Sequence, residues 1–141
     1  MRYHEVNVKV RFNEIDAYQV AWHGHFVAWM EIGRNELARR FGMAADQLAE
    51  AGYLGPVVAL EVKYLRPVRF NDLVTVKTTV KRNETATVEF QSIILGADGV
   101  PCARGGTVHA LTDMSGNTQY RLPEAVAERL DKMLAWAEGE P

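Results

Sequence analysis

The chain carries one cysteine, Cys102, in 141 residues. A lone thiol excludes an intramolecular disulfide and a cysteine-built metal cluster, and it fits a reducing, cytoplasmic setting. Long apolar runs are also missing. The opening MRYHEVNVKV alternates instead of accumulating hydrophobic residues, so neither a signal peptide nor a membrane span is expected. No block of one charge sign occurs. The 16 Lys and Arg against 18 Asp and Glu leave a net charge of −2, and the cations are dispersed, which argues against a nucleic-acid binder. Repeats, low-complexity stretches and an obvious linker are lacking. So are a phosphate-cradling glycine loop and a serine elbow. The four histidines, His4, His23, His25 and His109, have no carboxylate partners at ligand spacing. His23 and His25 can reach one ion from a loop but bring no further ligands, so no metal site is expected.

What is present is an alternation of strand and helix patterns at a length suited to one domain, 1–141. Val6, Val8, Val10 and Phe12 alternate with Glu5, Asn7, Lys9 and Arg11. A period of two predicts a half-buried strand ending near Phe12. From His25 onward Phe26, Trp29, Met30, Gly33, Leu37 and Phe41 recur at three- and four-residue spacing. This predicts an amphipathic helix that stops near Gly42. A shorter helix is expected over 44–51. Residues 57–65 open almost continuously apolar and read as a central strand, with Pro67 ending it or marking an edge or bulge. Strands over 73–80, 85–95 and 100–112 follow, with Asp98-Gly99 as a hairpin signal. Pro123 opens a closing helix over 124–136. Consecutive strands with short turns predict an antiparallel sheet, and one long helix must bury its stripe against it, giving an α+β fold. Gly33 inside the helix costs about 1 kcal/mol relative to alanine, which close packing of helix on sheet explains.

The stretch over 10–34, VRFNEIDAYQVAWHGHFVAWMEIGR, concentrates the chemistry. A strand, an acid at Asp16, a histidine at His23 and a helix start fall within a short span and can make a catalytic site. A carboxylate can serve as nucleophile or general base toward an electrophilic carbonyl. Capping the turn after the strand is the simpler use of Asp16 from spacing alone. The backbone N–H groups of His23 and Gly24 lie where a helix start offers free donors and partial positive charge, a plausible oxyanion site. The alternative for His23 is an ordinary loop histidine. His25 is a weaker candidate, and Cys102 and His109 sit in an alternating strand as parts of the sheet.

Val10-Arg11-Phe12, Glu14-Ile15-Asp16, Val20, His23, Phe26, Glu31 and Arg34, followed by Tyr64-Leu65-Arg66-Pro67, Asp72 and Gly106-Thr107-Val108-His109-Ala110, resemble the hotdog-fold thioesterases of the 4-hydroxybenzoyl-CoA thioesterase-like group. The likeness extends over about 6–130. It implies a hotdog fold, an antiparallel five-stranded sheet wrapped around one long central helix. It implies an acyl-CoA thioesterase in which Asp16 attacks the thioester carbonyl or activates a water to do so. The N–H groups of His23 and Gly24 then hold the oxyanion; in some members a histidine at the position of His23 is also proposed to assist by its ring. Phe26 lines the acyl pocket, and Glu31 falls where related enzymes carry an acid near the substrate, unless it pairs with Arg34 at i+3. Among the cations near strand ends, Lys63, Arg66, Arg69, Lys81, Arg82 and Arg104, the candidates for CoA phosphates are Arg66, Lys81 and Arg82; solvated strand surface is the plainer reading for each. The group implies a homodimer or homotetramer with sites at the dimer interface, and no metal or cofactor. One departure is Phe12, where some members of the Tol-Pal-associated branch carry tyrosine, which argues against that branch but not against the group. Two alternatives remain: a thioesterase acting on acyl-carrier-protein thioesters through the same residues, and a non-catalytic hotdog module that binds acyl-CoA. The Asp16 carboxylate argues against the second.

Overall fold

The computed structural model describes residues 1–139. Val6 and Val8 turn one face of β1 (His4–Lys9) toward the core, while Glu5, Asn7 and Lys9 face solvent. The strand stops at Lys9, short of the expected end near Phe12. Phe12 stands in a 3₁₀ turn (Phe12–Glu14) and is 79% exposed, so the period-two pattern outlasts the strand. The long helix α1 (His23–Arg40) begins two residues before the expected His25 and takes in His23 and Gly24. A short helix α2 (Ala45–Glu50) and a two-residue strand β2 (Tyr53–Leu54) follow. Then come β3 (Val57–Tyr64), β4 (Leu73–Lys81), β5 (Thr87–Leu95), β6 (Pro101–Ala110), a two-residue β7 (Thr112–Asp113) and the closing helix α3 (Glu124–Glu138).

The main sheet has five strands in the order β1-β4-β5-β6-β3. Every pairing is antiparallel, and β2 pairs separately with β7. This is the hotdog arrangement: α1 lies along the sheet against β1, β4 and β5. One position corrects the sequence reading. Residues 57–64 form an edge strand, not a central one, and every residue of β3 except Val62 is exposed. An apolar run has the same composition whether it is buried on two faces or left open at an edge, so periodicity could not separate the two cases.

The helix stripe falls into two clusters. Near its start, Phe26, Trp29 and Met30 pack with Val10, Val74 and Val76. Near its end, Leu37 and Ala38 pack with Val80, Phe90 and the α3 residues Leu130 and Met133. Full burial of a side chain such as Leu37 contributes about 1.5–3 kcal/mol, so tertiary packing, more than intrinsic propensity, holds α1 in place. Among the described residues no helix is long and apolar enough to cross a membrane.

Gly33 sets the distance between α1 and the sheet. A Cβ there would stand 2.5 Å from Thr78 Oγ1 and 2.9 Å from Val76 Cγ1, both on β4. The Thr78 hydroxyl is buried and pairs with Ser92 Oγ at 3.4 Å, so it has little room to give way. Gly33→Ala should therefore destabilise the fold by about 1–3 kcal/mol through overpacking, although alanine is the better helix former by about 1 kcal/mol. Urea unfolding measures the sign; a stabilised variant would show that the sheet yields.

Candidate active site

The segment between β1 and α1 is fixed at both ends by backbone bonds. Val10 N–H donates to Asp72 O at 2.9 Å, and Asn71 N–H donates to Val10 O at 3.1 Å. Farther along, Ala21 N–H donates to Val68 O at 2.7 Å and Trp22 N–H to Glu14 O at 2.9 Å. Between these ties Ile15 bridges Ala21, and residues 16–20 close a tight loop. Asp16 N–H donates to Val20 O and Gln19 N–H returns to Asp16 O, both at 3.0 Å. Gln19 takes the left-handed backbone conformation, φ 66°, to complete the turn. Asp16 stands half-buried at the root of this loop. Its Oδ1 accepts the N–H of Tyr18 at 2.8 Å, so the turn-capping use foreseen for it is present. That bond orients the carboxylate and leaves it beside an open cleft.

Glu14 is the residue beneath this loop. It is 3% exposed, yet it is an acid. Its Oε1 accepts the Arg11 N–H at 2.8 Å and the Arg11 Nε–H at 3.3 Å, while Oε2 accepts the Trp29 indole N–H at 3.0 Å. His25 Nδ1 lies 3.9 Å from Oε2. Burial alone pushes the pKa of Glu14 up. The Arg11 N–H, the Trp29 indole and the Arg11 guanidinium outweigh it and hold the carboxyl below its ordinary value. The sequence showed Glu14 only as a motif neighbour of Asp16; its partner Trp29 is 15 positions away, a separation with no local signature.

The cleft holds about 390 Å³ and is lined by Asp16, Tyr18, His23, Phe26, Tyr64 and Arg66, with Pro67 at its side. The structure thus brings Asp16, His23, Phe26 and Arg66 together. Gly24 follows His23 in the first turn of α1, whose N–H groups have no preceding turn to bond to. Trp22 at the N-cap makes no side-chain cap bond. Its ring covers Gly24 so closely that a Cβ there would lie 2.2 Å from it, which accounts for the glycine. The rings of His23 and His25 separate: His23 lines the cleft and faces Tyr64 edge-on at 6.2 Å, whereas His25 turns toward Glu14.

The remaining candidates lie elsewhere. Glu31 is hydrogen-bonded to Arg34 and borders a small depression with Leu60 and Phe90, outside the Asp16 cleft. Lys81 is the last residue of β4, at the opposite end from Leu73. Arg82 follows it and pairs with Glu138 at 2.7 Å. Arg66 borders the cleft but is itself paired with Asp98 at 3.1 Å. Cys102 is buried, and burial pushes its thiol pKa up. His109 is a buried sheet residue with Gly55 O at 2.9 Å from Nδ1 and Thr107 Oγ1 at 2.8 Å from Nε2; burial holds its pKa down. A larger open depression, about 560 Å³, lies across Glu61, Glu89, Arg104 and Gly106. It contains neither Asp16 nor a helix start, so the smaller cleft is the candidate site. Among the described residues no three His, Cys, Asp or Glu side chains gather as a metal site.

Residues 10–130 match the family model of the thioesterase-like superfamily. The chain belongs to this superfamily. It is 31% identical over 134 residues to a putative esterase, sll0410, of Synechocystis, covering 94% of this chain and 81% of that protein. A thioesterase of Thermus thermophilus solved with coenzyme A and Zn is similar at TM-score 0.74 and 28% identity, over 97% of this chain and 95% of that one. A DHNA-CoA thioesterase of Staphylococcus aureus shares the fold at TM-score 0.85 and 22% identity, over 96% and 93% of the two chains. The protein is a thioester hydrolase of this superfamily.

The Glu14 network has a measurable acid signature. In the unfolded chain Glu14 takes up a proton near 4.5, and in the folded protein only at lower pH. Its stabilising contribution is therefore full above the unfolded value and is lost as pH falls through the folded one. Glu14→Gln should lower the urea midpoint at pH 7, and the gap to the unsubstituted protein should narrow as pH drops below 4.5. A gap constant with pH would mean that the carboxylate charge is irrelevant.

Proposed function

We propose that this thioester hydrolase acts on an acyl-CoA, releasing a free carboxylic acid and CoA, with Asp16 as nucleophile or general base. The observation that supports the reading is the meeting of the Asp16 carboxylate and the first turn of α1 at one cleft. The thioester carbonyl carbon is attacked either by an Asp16 oxygen, forming an anhydride that water then opens, or by a water whose proton Asp16 takes. Negative charge collects on the former carbonyl oxygen, where N–H donors at a helix N-terminus stabilise it. Collapse expels the CoA thiolate, which is protonated by solvent. The donors are the N–H groups of His23 and Gly24, so His23 acts here through its backbone. Phe26 meets the acyl group from the cleft floor, and Arg66 at the cleft is the cation best placed for a CoA phosphate. Glu31, held by Arg34, and Lys81 and Arg82, away from the cleft, have no part in this scheme within one chain.

The same reading includes a second copy of the chain. The eight-residue edge of β3 carries Val58 at 60% and Leu60 at 50% exposure. A long, apolar, uncovered edge invites pairing with another strand. Tyr64 ends this strand, and Leu65 and Arg66 follow it, all three lining the cleft, so pairing there puts the site at the dimer interface.

The decisive assay follows thiol release from a panel of acyl-CoA and acyl-carrier-protein thioesters. The unsubstituted protein should release CoA, and Asp16→Asn should lower kcat by about 100-fold or more; undiminished release by Asp16→Asn would sink the assignment. Sedimentation should give at least twice the chain mass of 15.8 kDa, and the pair Val58→Lys, Leu60→Lys should shift it toward the monomer with loss of activity. A monomeric, active protein would refute the shared-site arrangement.

A further inference from the structure

Tyr64 lines the cleft, and the reaction scheme leaves it without a task. It closes β3, and its phenol O–H donates to the backbone carbonyl of His23 at 2.7 Å, across 41 residues of sequence. His23 is the first residue of α1. Its carbonyl and the Gly24 N–H belong to one planar peptide unit and point in opposite directions. A bond that holds the carbonyl oxygen therefore also aims the Gly24 N–H. We propose that Tyr64 is a positioning residue for the oxyanion site, acting through the His23–Gly24 peptide unit.

Three features support the role. The Tyr64 ring is braced edge-on against Phe26, centroids 5.2 Å apart at 89°, and against His23 at 6.2 Å, so the hydroxyl is held in direction as well as in reach. The start of α1 makes no side-chain cap bond, so the Tyr64 hydroxyl adds a hold on that first peptide unit that no N-cap side chain supplies, beside the intrahelical bond a carbonyl at this position accepts. A hydrogen bond accepted at a carbonyl also polarises the amide, which strengthens the N–H at its other end as a donor. A phenol stays protonated at neutral pH, and the partial desolvation of Tyr64 pushes its pKa further up, so the group is a donor there. Tyr64 does not touch the reacting atoms in this account; it sets the direction and strength of a donor that does. Because it stands on the edge strand, the oxyanion geometry is tied to the placement of β3.

This inference rests on thioester hydrolysis at the Asp16 cleft, and its test separates the two. Tyr64→Phe keeps the ring and removes only the hydroxyl. With an acyl-CoA that the unsubstituted protein hydrolyses, kcat should fall about tenfold, a fraction of the hundredfold or more lost with an oxyanion donor itself, while KM stays within about twofold. Hydrogen exchange of the Gly24 amide, followed by NMR without substrate, should speed up. Tyr120→Phe, at a phenol 91% exposed and outside the cleft, should change neither. A kcat equal to that of the unsubstituted protein overturns the proposal, as does a rise in KM that matches the fall in kcat. If the unsubstituted protein hydrolyses nothing in the panel, the hydrolysis reading fails, and the Gly24 exchange decides alone: an unchanged rate in Tyr64→Phe then overturns the positioning role.

Discussion

The candidate site depends on a buried carboxylate, that of Glu14. Glu14, the last residue of the 3₁₀ turn, accepts the N–H of Arg11 just before that turn and the Trp29 indole N–H from the second turn of α1. Its own carbonyl accepts Trp22 N–H at the helix start. One residue thus joins the segment before the Asp16 loop to the helix after it. A buried acid left without those donors would be strongly destabilising, so the network has to form as a whole. When it forms, the Asp16 loop and the first turn of α1 have one relative position. The tight approach of α1 to β4 at Gly33 extends the same rigidity along the helix.

The cleft joins two stretches of chain with different duties. Residues 16–26 contribute the acid, the helix start and Phe26, while residues 64–67 contribute a wall from the edge strand. The first stretch holds the acid and the helix start and is compact in sequence. The second carries shape, and through the Tyr64 hydroxyl it reaches the backbone of the first. The thioester-hydrolase family is therefore legible in a local motif, whereas the acyl group depends on a surface built from distant segments and, if β3 pairs with a second copy, from another chain.

This division accounts for what could be read before the structure. The alternation of Val6 and Val8, the three- and four-residue spacing of Phe26, Trp29, Met30, Gly33 and Leu37, and the Asp98-Gly99 turn each express a local period or a local backbone demand, and each is found in the fold. The edge position of β3 was misread because strand order is not a local property. Glu14 and Tyr64 were visible only as members of a resemblance. Their roles rest on contacts with Trp29 and His23, which come near only when the helix lies on the sheet. Lys81 and Arg82 show the opposite failing: cations at strand ends look equivalent in sequence, yet a nine-residue strand separates its two ends by about 30 Å.

The start of α1 has the composition of a site, not of a well-built helix end. Ser, Thr, Asp or Asn at the N-cap would stabilise the helix by about 1 kcal/mol relative to an apolar residue. Position 22 is instead tryptophan, and the second helical residue is glycine, a poor helix former. A capping side chain would occupy the first-turn donors that an oxyanion requires. The Trp22 ring covers Gly24 from one side, and the Tyr64 hydroxyl holds the preceding carbonyl. Both constrain the peptide unit without occupying its N–H. Local stability given up in this way, with order restored by groups that do not compete for the donors, is what a pre-organised oxyanion site requires. It is the physical argument for the proposed oxyanion role of the start of α1.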